Sequence, residues 1–128
     1  MGQSRFGRGT RILVVDDNAD MRLTTQLLLQ AEGYVVEVAA NGAEALRIQR
    51  ERPSHILLTD LFMPEVDGLE LVQGFRAAYP AMPVIVVSGG SRLGNQQADH
   101  LSVARELGAV TLRKPVAPAD LIEAIRNV

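Results

Sequence analysis

Four apolar runs in this chain each lead into residues that could take part in chemistry, namely Asp16 with Asp17, Asp60, Ser88 and Lys114. Three carboxylates held within a few ångströms repel one another unless a cation lies between them. Mg²⁺ suits that place because it prefers oxygen ligands and commonly binds one or two carboxylates together with a phosphate. An ammonium and a hydroxyl group would bind phosphoryl oxygens, and a carboxylate can itself form an aspartyl phosphate. If the fold brings them together, these residue types predict a Mg²⁺-dependent phosphoaspartate site.

The segments between these residues alternate between short apolar runs and amphipathic stretches. The apolar runs predict five strands, at 12–15, 34–38, 55–59, 84–87 and 110–113. Helical spacing predicts five helices, at 19–32, around 43–48, at 69–79, 96–107 and 118–128. Continuous apolar strands separated by helices predict a parallel sheet covered on both faces. Because ligands bind at the carboxyl ends of such strands, the five residues should converge on one edge.

Length and composition limit the possible functions. With 128 residues, 47% of them hydrophobic, the chain suits one domain with its own core. A net charge of −2 argues against a nucleic-acid interface, which usually needs a basic stripe. There is no cysteine for disulfides or thiolate sites, and neither a bilayer-spanning run nor a signal peptide is visible. We therefore predict a cytoplasmic domain at 11–128 after a flexible tail at 1–10, with no direct contact to nucleic acid or membrane.

Each motif taken alone has a simpler explanation. An acidic Asp16-Asp17-Asn18 turn is more often a helix cap, and Asp60 could equally cap the turn that follows it. Ser88 before two glycines is usually part of a turn, and a single lysine such as Lys114 is usually a surface residue. Only their occurrence together, each at the end of a predicted strand, favours the phosphoaspartate site.

The motifs occur in one order across residues 11–128: VVDDN, TDLFMPEVDG, VVS and LRKP. Together they resemble the receiver domain of two-component response regulators of the chemotaxis-regulator type. The resemblance implies a flavodoxin-like, doubly wound (βα)5 α/β fold, with a five-stranded parallel sheet in the order 2-1-3-4-5. It also implies a phosphorylation-dependent signalling switch, not an enzyme, that assists its own phosphorylation. The phosphoryl group would come from a sensor histidine kinase or a phosphotransfer protein.

The resemblance assigns roles to the acids and to one backbone carbonyl. Asp60 is the phosphoacceptor. Asp17 and Asp60 bind Mg²⁺, or Mn²⁺, directly, whereas Asp16 acts through a water molecule. The backbone carbonyl of Phe62 is a further metal ligand.

The resemblance also assigns the contacts to the phosphoryl group. Ser88 and Lys114 hold phosphoryl oxygens, and the peptide bond between Lys114 and Pro115 is expected to be cis. The face formed by the fourth and fifth helices and the last strand is expected to change on phosphorylation. The same face is a possible homodimer interface.

Three features depart from the common receiver pattern. Thr111 stands at the switch position, where the family usually has Tyr or Phe. In the family that ring turns inward when the strand-four hydroxyl moves, and Thr is too small to make the same movement. Val116 stands where Phe is common. The segment after the fourth strand is longer than usual and glycine-rich, which predicts a mobile loop over 89–97.

Phe62 and Gly90 lie where family members tune dephosphorylation. Neither side chain can orient an attacking water molecule by a hydrogen bond. The sequence therefore predicts a phosphoryl group that lasts for minutes or longer.

Three other functions fit the sequence less well than a phosphorylation-dependent switch. A Mg²⁺-dependent phosphohydrolase of the haloacid-dehalogenase type would carry Asp-x-Asp at the first strand, but Asn18 stands at the second acid. A flavodoxin-like cofactor binder would need a Ser/Thr/Gly-rich phosphate loop where this chain has DDNAD. A receiver used only as an interaction module would not need Asp60 and Lys114. The sequence leaves open the kinase, the input signal, the output target, the oligomeric state and whether the domain belongs to a longer regulator.

Overall fold

The computed structural model describes residues 6–61, 68–88 and 102–128, and these ranges contain a five-stranded sheet. The strands are β1 (Arg11–Val15), β2 (Val35–Ala39), β3 (Ile56–Asp60), β4 (Val84–Ser88) and β5 (Val110–Arg113). They pair in parallel in the order β2-β1-β3-β4-β5. The predicted fold class and strand order are confirmed.

Five helical segments connect and cover these strands. They are α1 (Ala19–Ala31), α2 (Gly42–Glu51), α3 (Gly68–Ala78), α4, whose described part is 102–106, and α5 (Pro118–Asn127). Asparagine side chains cap two of them. Asn18 Oδ1 accepts from the Met21 N–H at 3.1 Å, and Asn41 Oδ1 accepts from the Glu44 N–H at 2.9 Å. Each bond satisfies a backbone donor that has no partner within its own helix.

Three strands end one residue later than the sequence predicts. The second strand also begins one residue later. Its predicted first residue, Tyr34, belongs to the turn that ends α1, because the Tyr34 N–H donates to the Leu29 carbonyl at 3.2 Å. At the ends of β3 and β4, Asp60 pairs with Val87 and Ser88 pairs with Arg113. Both polar residues therefore belong to the sheet, and their backbones are held by their neighbours.

The core lies on both faces of the sheet. One cluster packs Leu13 and Leu57 of the sheet against Phe75 of α3, together with residues of α2 and α4. The other packs the opposite sheet face, including Leu58, against Leu29 of α1 and residues of α5. All five residues of β3 are buried, because this strand is at the centre of the sheet. The most buried strand thus ends on a carboxylate.

Gly68, the first residue of α3, packs directly on the end of β3. Its N–H donates to the Leu61 carbonyl at 2.9 Å. A Cβ built at Gly68 would come closer to the carbonyl oxygens of Asp60 and Leu61 than real Cβ atoms approach other atoms. Because these obstacles are backbone atoms, no side-chain rearrangement can relieve the overlap. Gly68 therefore sets how closely α3 approaches the end of β3.

Replacing Gly68 by alanine should destabilise the fold by about 1–3 kcal/mol, the usual cost of overpacking a close contact. Gly74 provides a matched control in the same helix, since a Cβ there meets nothing within 4 Å. Gly74→Ala should stabilise the protein by about 0.5–1 kcal/mol, because alanine loses less backbone entropy in a helix. Urea unfolding of both variants measures the two changes, and shifts of the same sign would contradict the packing argument.

Residues 6–10 contact the domain. The Gly9 N–H donates to the Gly33 carbonyl at 2.9 Å, Thr10 is buried, and the Phe6 ring lies 5.8 Å from the His55 ring. The flexibility of the tail at 1–10 and the domain boundary at 11 stay predictions. The mobile loop expected over 89–97 lies outside the described residues. None of the described helices is long and apolar enough to cross a bilayer.

Candidate phosphoaspartate site

The turn after β1 carries two acids and is tied down by hydrogen bonds. Asp16 is only 8% exposed, whereas Asp17 is exposed. The Asp16 N–H donates to the Ala39 carbonyl at 3.1 Å, which extends the sheet by one bond. Asp16 Oδ1 accepts from the Asn18 N–H at 2.9 Å, and the Asp16 carbonyl accepts from Arg22 Nη1 at 2.8 Å. The direction of the Asp16 carboxylate is therefore set by the turn and by α1.

Asp60 forms an ion pair with a lysine that is distant in the sequence. It is 8% exposed, and its Oδ2 lies 3.3 Å from Lys114 Nζ. Lys114 is the only lysine in the chain, and its N–H donates to the Ser88 carbonyl at 2.7 Å. The peptide bond between Lys114 and Pro115 is cis, the isomer that the receiver resemblance implies. The segment after β5 thus brings an ammonium group to the end of β3.

The three acids form one cluster. One carboxylate oxygen from each of Asp16, Asp17 and Asp60 lies within 4.8 Å of the other two. Oxygen donors at this spacing suit a hard divalent cation such as Mg²⁺ or Mn²⁺, and the exposed Asp17 leaves access from solvent. The donor set therefore fits the metal that the sequence predicts. Phe62, the proposed carbonyl ligand, lies outside the described residues.

Ser88 and Thr111 lie on the two strands beyond Asp60. Ser88 ends β4 and is 2% exposed. Thr111 pairs with Val86 in the adjacent strand and is half-buried. Its Oγ1 accepts a hydrogen bond from Arg105 Nε, in α4, at 3.0 Å. The position that is aromatic in many receivers is thus linked to α4 by a polar contact.

The chain matches the family model described as the response regulator receiver domain over residues 12–126. It belongs to this family. The match covers all five strands of the sheet, and with them every acid of the cluster and Lys114.

Relatives of this receiver domain include proteins of very different length. A 14.6 kDa uncharacterized protein of Leptolyngbya boryana is 37% identical over 119 residues, 91% of this chain and 87% of that protein. A putative NtrX-like response regulator of Rickettsia bellii is 39% identical over 80 residues, 61% of this chain but 17% of that protein. The transcriptional regulatory protein PrrA of Mycobacterium tuberculosis is 34% identical over 91% of this chain and 48% of its own length. The receiver domain thus spans less than half of the latter two relatives.

Solved receiver structures share the fold. A receiver domain protein from Clostridium thermocellum superposes with a TM-score of 0.83 at 32% identity, covering 92% of both chains. A CheY-like receiver from Methanospirillum hungatei gives 0.82 at 33% identity, covering 91% of this chain and 90% of its own. The identification as a receiver domain is confirmed by these matches and by the family model.

The receiver site contains two arginines that the sequence interpretation missed. Arg22 donates a hydrogen bond to the Asp16 carbonyl, and Arg105 donates one to the Thr111 hydroxyl. An arginine early in a helix gives only a weak signal, since acids are favoured there. His55 lies at the opposite end of the sheet, where its Nδ1 accepts from the Arg11 N–H at 2.9 Å. Gly90 and His100 lie outside the described residues.

Proposed function

We propose that this receiver accepts a phosphoryl group on Asp60 from the phosphohistidine of a sensor histidine kinase or phosphotransfer protein. The observation that carries the proposal is the buried Asp60 carboxylate, at the end of the central strand, with Lys114 Nζ at 3.3 Å and two further acids beside it. A purely structural role would not require three carboxylates to be held together at a sheet edge, because their repulsion destabilises the fold.

In the proposed reaction, an Asp60 carboxylate oxygen attacks phosphorus. The new O–P bond forms as the P–N bond to the donor histidine breaks, and the electron pair leaves on the imidazole nitrogen, which takes up a proton from solvent. Lys114 holds one phosphoryl oxygen by a charge-assisted hydrogen bond, and the Ser88 hydroxyl donates to another. The result is an aspartyl phosphate on a strand that cannot move freely.

Asp16, Asp17 and Asp60, with the Phe62 carbonyl, would hold Mg²⁺ or Mn²⁺. When bound, the metal neutralises the carboxylates and the phosphoryl oxygens that face them. Asn18 and Arg22 orient Asp16 toward this position through its carboxylate and its carbonyl. Lys114 would add a second positive charge beside Asp60, since its Nζ lies 3.3 Å from Asp60 Oδ2.

The switch itself would run through β4 and β5. Ser88 and Thr111 lie on neighbouring strands, and Thr111 is linked to α4 through Arg105. A movement of Ser88 toward a phosphoryl group would act on this hydrogen bond instead of on an aromatic ring. The face of α4, β5 and α5 is then the output surface and the proposed homodimer interface, acting in the cytoplasm without direct binding to nucleic acid or membrane.

Two alternatives are not favoured. The family match gives no support to an aspartate-nucleophile hydrolase or to a receiver that is never phosphorylated. One relative, the protein-glutamate methylesterase/protein-glutamine glutaminase of Halalkalibacterium halodurans, is 34% identical over 92% of this chain, which spans 34% of that protein. We propose that our chain is a phosphoacceptor, and that it holds no catalytic activity on a separate substrate.

The test is Mg²⁺-dependent labelling with acetyl phosphate, measured by intact mass, with beryllofluoride as a stable mimic. The wild type should gain one phosphoryl group per chain and change its oligomeric state or its α4–β5–α5 NMR signals. Asp60→Asn should do neither. Asp20→Asn, an exposed acid on α1 outside the cluster, should behave as the wild type. Equal labelling of wild type and Asp60→Asn would refute the assignment.

The lifetime of the phosphoryl group should depend on Phe62. Phe62→Asn introduces an amide that can orient an attacking water molecule, so we expect faster loss of phosphate from the variant than from the wild type. Following the decay of labelled protein after removal of the phosphodonor measures both half-lives. A wild-type half-life no longer than that of the variant would contradict the lifetime proposal.

A further inference from the structure

We propose that the phosphoaspartate site includes an apolar subsite that favours small phosphodonors with a bulky apolar acyl group, such as aryl acyl phosphates. This inference rests on the proposed function, since it names a class of donor for the same reaction. It starts from a crevice of about 570 Å³ between α1, from Met21 to Leu28, and the segment that joins β5 to α5. Asp60 and Lys114 form part of the wall of this crevice.

The remaining wall is mostly apolar and comes from three parts of the fold. It includes Val14 and Leu58 from the sheet, Met21 and Leu28 from α1, and Val116 and Leu121 from the far side. A cavity of roughly 150 Å³ lined by such side chains is enough to bind benzene. The crevice can therefore hold a phenyl ring beside the reacting groups.

Val116 is the lining residue that follows Lys114 and Pro115 in the chain. A phenylalanine at this position would add a ring to the wall and fill part of the crevice. The small side chain leaves an apolar surface next to Lys114, and an apolar group gains free energy when it leaves water for such a surface. A methyl group, as in acetyl phosphate, can use little of it.

The crevice lies where the acyl leaving group of a phosphodonor would be placed. Asp60 and Lys114 both line the crevice, and Lys114 Nζ is 3.3 Å from Asp60 Oδ2, so a donor whose phosphoryl group contacts both residues has its acyl group within reach of the apolar wall. In the transfer, an Asp60 oxygen forms a bond to phosphorus as the bond from phosphorus to the acyl oxygen breaks. The electron pair leaves with the carboxylate, and no proton is required. The apolar part of that carboxylate contacts the crevice wall.

The experiment compares benzoyl phosphate with acetyl phosphate at equal, subsaturating concentrations in Mg²⁺ buffer. The initial rate of Asp60 labelling is measured by intact mass, with Asp60→Asn as the check that label is on this residue. For the wild type we expect a benzoyl-to-acetyl rate ratio of about ten or more, the usual effect of an added apolar group in a matching pocket. In Val116→Phe the benzoyl-to-acetyl rate ratio should fall close to the ratio of the two donors' uncatalysed reaction rates. The comparison uses only this ratio, so a change in the rate with acetyl phosphate does not affect it.

Leu27→Phe is the matched control, since Leu27 is 57% exposed on α1 and does not line the crevice. It should keep the wild-type ratio. A second measurement needs no reaction: binding of phenacylphosphonate and acetonylphosphonate, in which carbon replaces the bridging oxygen. The phenyl analogue should bind about tenfold tighter to the wild type and shift the methyl NMR signals of Val14 and Leu28.

The outcomes separate this inference from the proposed function. Labelling by acetyl phosphate with the same ratio in wild type and Val116→Phe overturns the apolar subsite alone. Equal binding of the two phosphonates also overturns it. No labelling of Asp60 by either donor overturns the proposed function, and the subsite proposal with it.

Discussion

Lys114→Met should slow the phosphorylation of Asp60 about a hundredfold to a thousandfold, the usual effect of removing one donor that stabilises a transition state. The same change should tighten the binding of Mg²⁺. Both effects follow from one ammonium group 3.3 Å from the Asp60 carboxylate. Its charge stabilises phosphoryl oxygens, but it repels a second cation beside the same acids. Methionine keeps an unbranched apolar side chain and removes the charge together with the N–H donors of the ammonium group.

Two measurements are needed for this variant, because the predicted changes have opposite signs. Labelling with a small phosphodonor gives the rate, and calorimetric titration gives the affinity for Mg²⁺. Lys114→Arg is the control: it keeps the charge, so its Mg²⁺ affinity should stay near that of the wild type. A variant that loses rate and Mg²⁺ affinity together would show that Lys114 only maintains the shape of the site.

Asp16→Asn should raise the free energy of unfolding in the absence of divalent cations by about 1–3 kcal/mol. Asp16 is nearly buried, and one of its oxygens lies within 4.8 Å of carboxylate oxygens from Asp17 and Asp60. Removing one negative charge relieves this repulsion. The asparagine oxygen can still accept the hydrogen bond from the Asn18 N–H, so the turn is kept.

Mg²⁺ should reverse the order of stability. In the wild type, a concentration about one thousand times the dissociation constant adds about 4.1 kcal/mol to the free energy of unfolding, more than the lead expected for Asp16→Asn without metal. Asp16→Asn should lose most of this gain, and Asp20→Asn should keep it. Urea unfolding of the three proteins with and without Mg²⁺ gives all six free energies of unfolding. An Asp16→Asn variant that is less stable than the wild type without metal would contradict the repulsion argument.

The strand order was predicted from the resemblance to receiver domains alone. The sequence pattern itself was enough to predict the parallel sheet and the meeting of Asp16, Asp17, Asp60 and Lys114. The reason is physical: in a parallel sheet all carboxyl ends lie at one edge, so the last residue of each strand is placed by the topology. The predicted strands were wrong only by single residues at their ends, as at Asp60 and Ser88, whereas the second helix, predicted around 43–48, extends over Gly42–Glu51. Local pattern does not show how far backbone pairing extends.

The rest depends on contacts that local pattern does not encode. The close approach of Gly68 to the Asp60 and Leu61 carbonyls follows from how α3 is placed, and its sequence context, Asp-Gly, indicated only a turn and the start of a helix. The partners of Arg22 and Arg105 depend on side-chain geometry across turns. The crevice beside Lys114 is a volume left between elements. The sequence feature related to it was Val116, which stands where Phe is common in the family.

The glycine contact at the start of α3 makes the phosphoaspartate site mechanically asymmetric. On that side the backbone of α3 packs against the Asp60 and Leu61 carbonyls with no room for even a methyl group, so α3 cannot move closer to the end of β3. On the other side, β5 is the edge strand of the sheet: it pairs with β4 alone, and single hydrogen bonds from Arg105 to Thr111 and from Lys114 to Ser88 add to this pairing. We therefore expect a group added to Asp60 to displace the β4–β5 side, because the absence of a side chain at Gly68 lets α3 close off the opposite side.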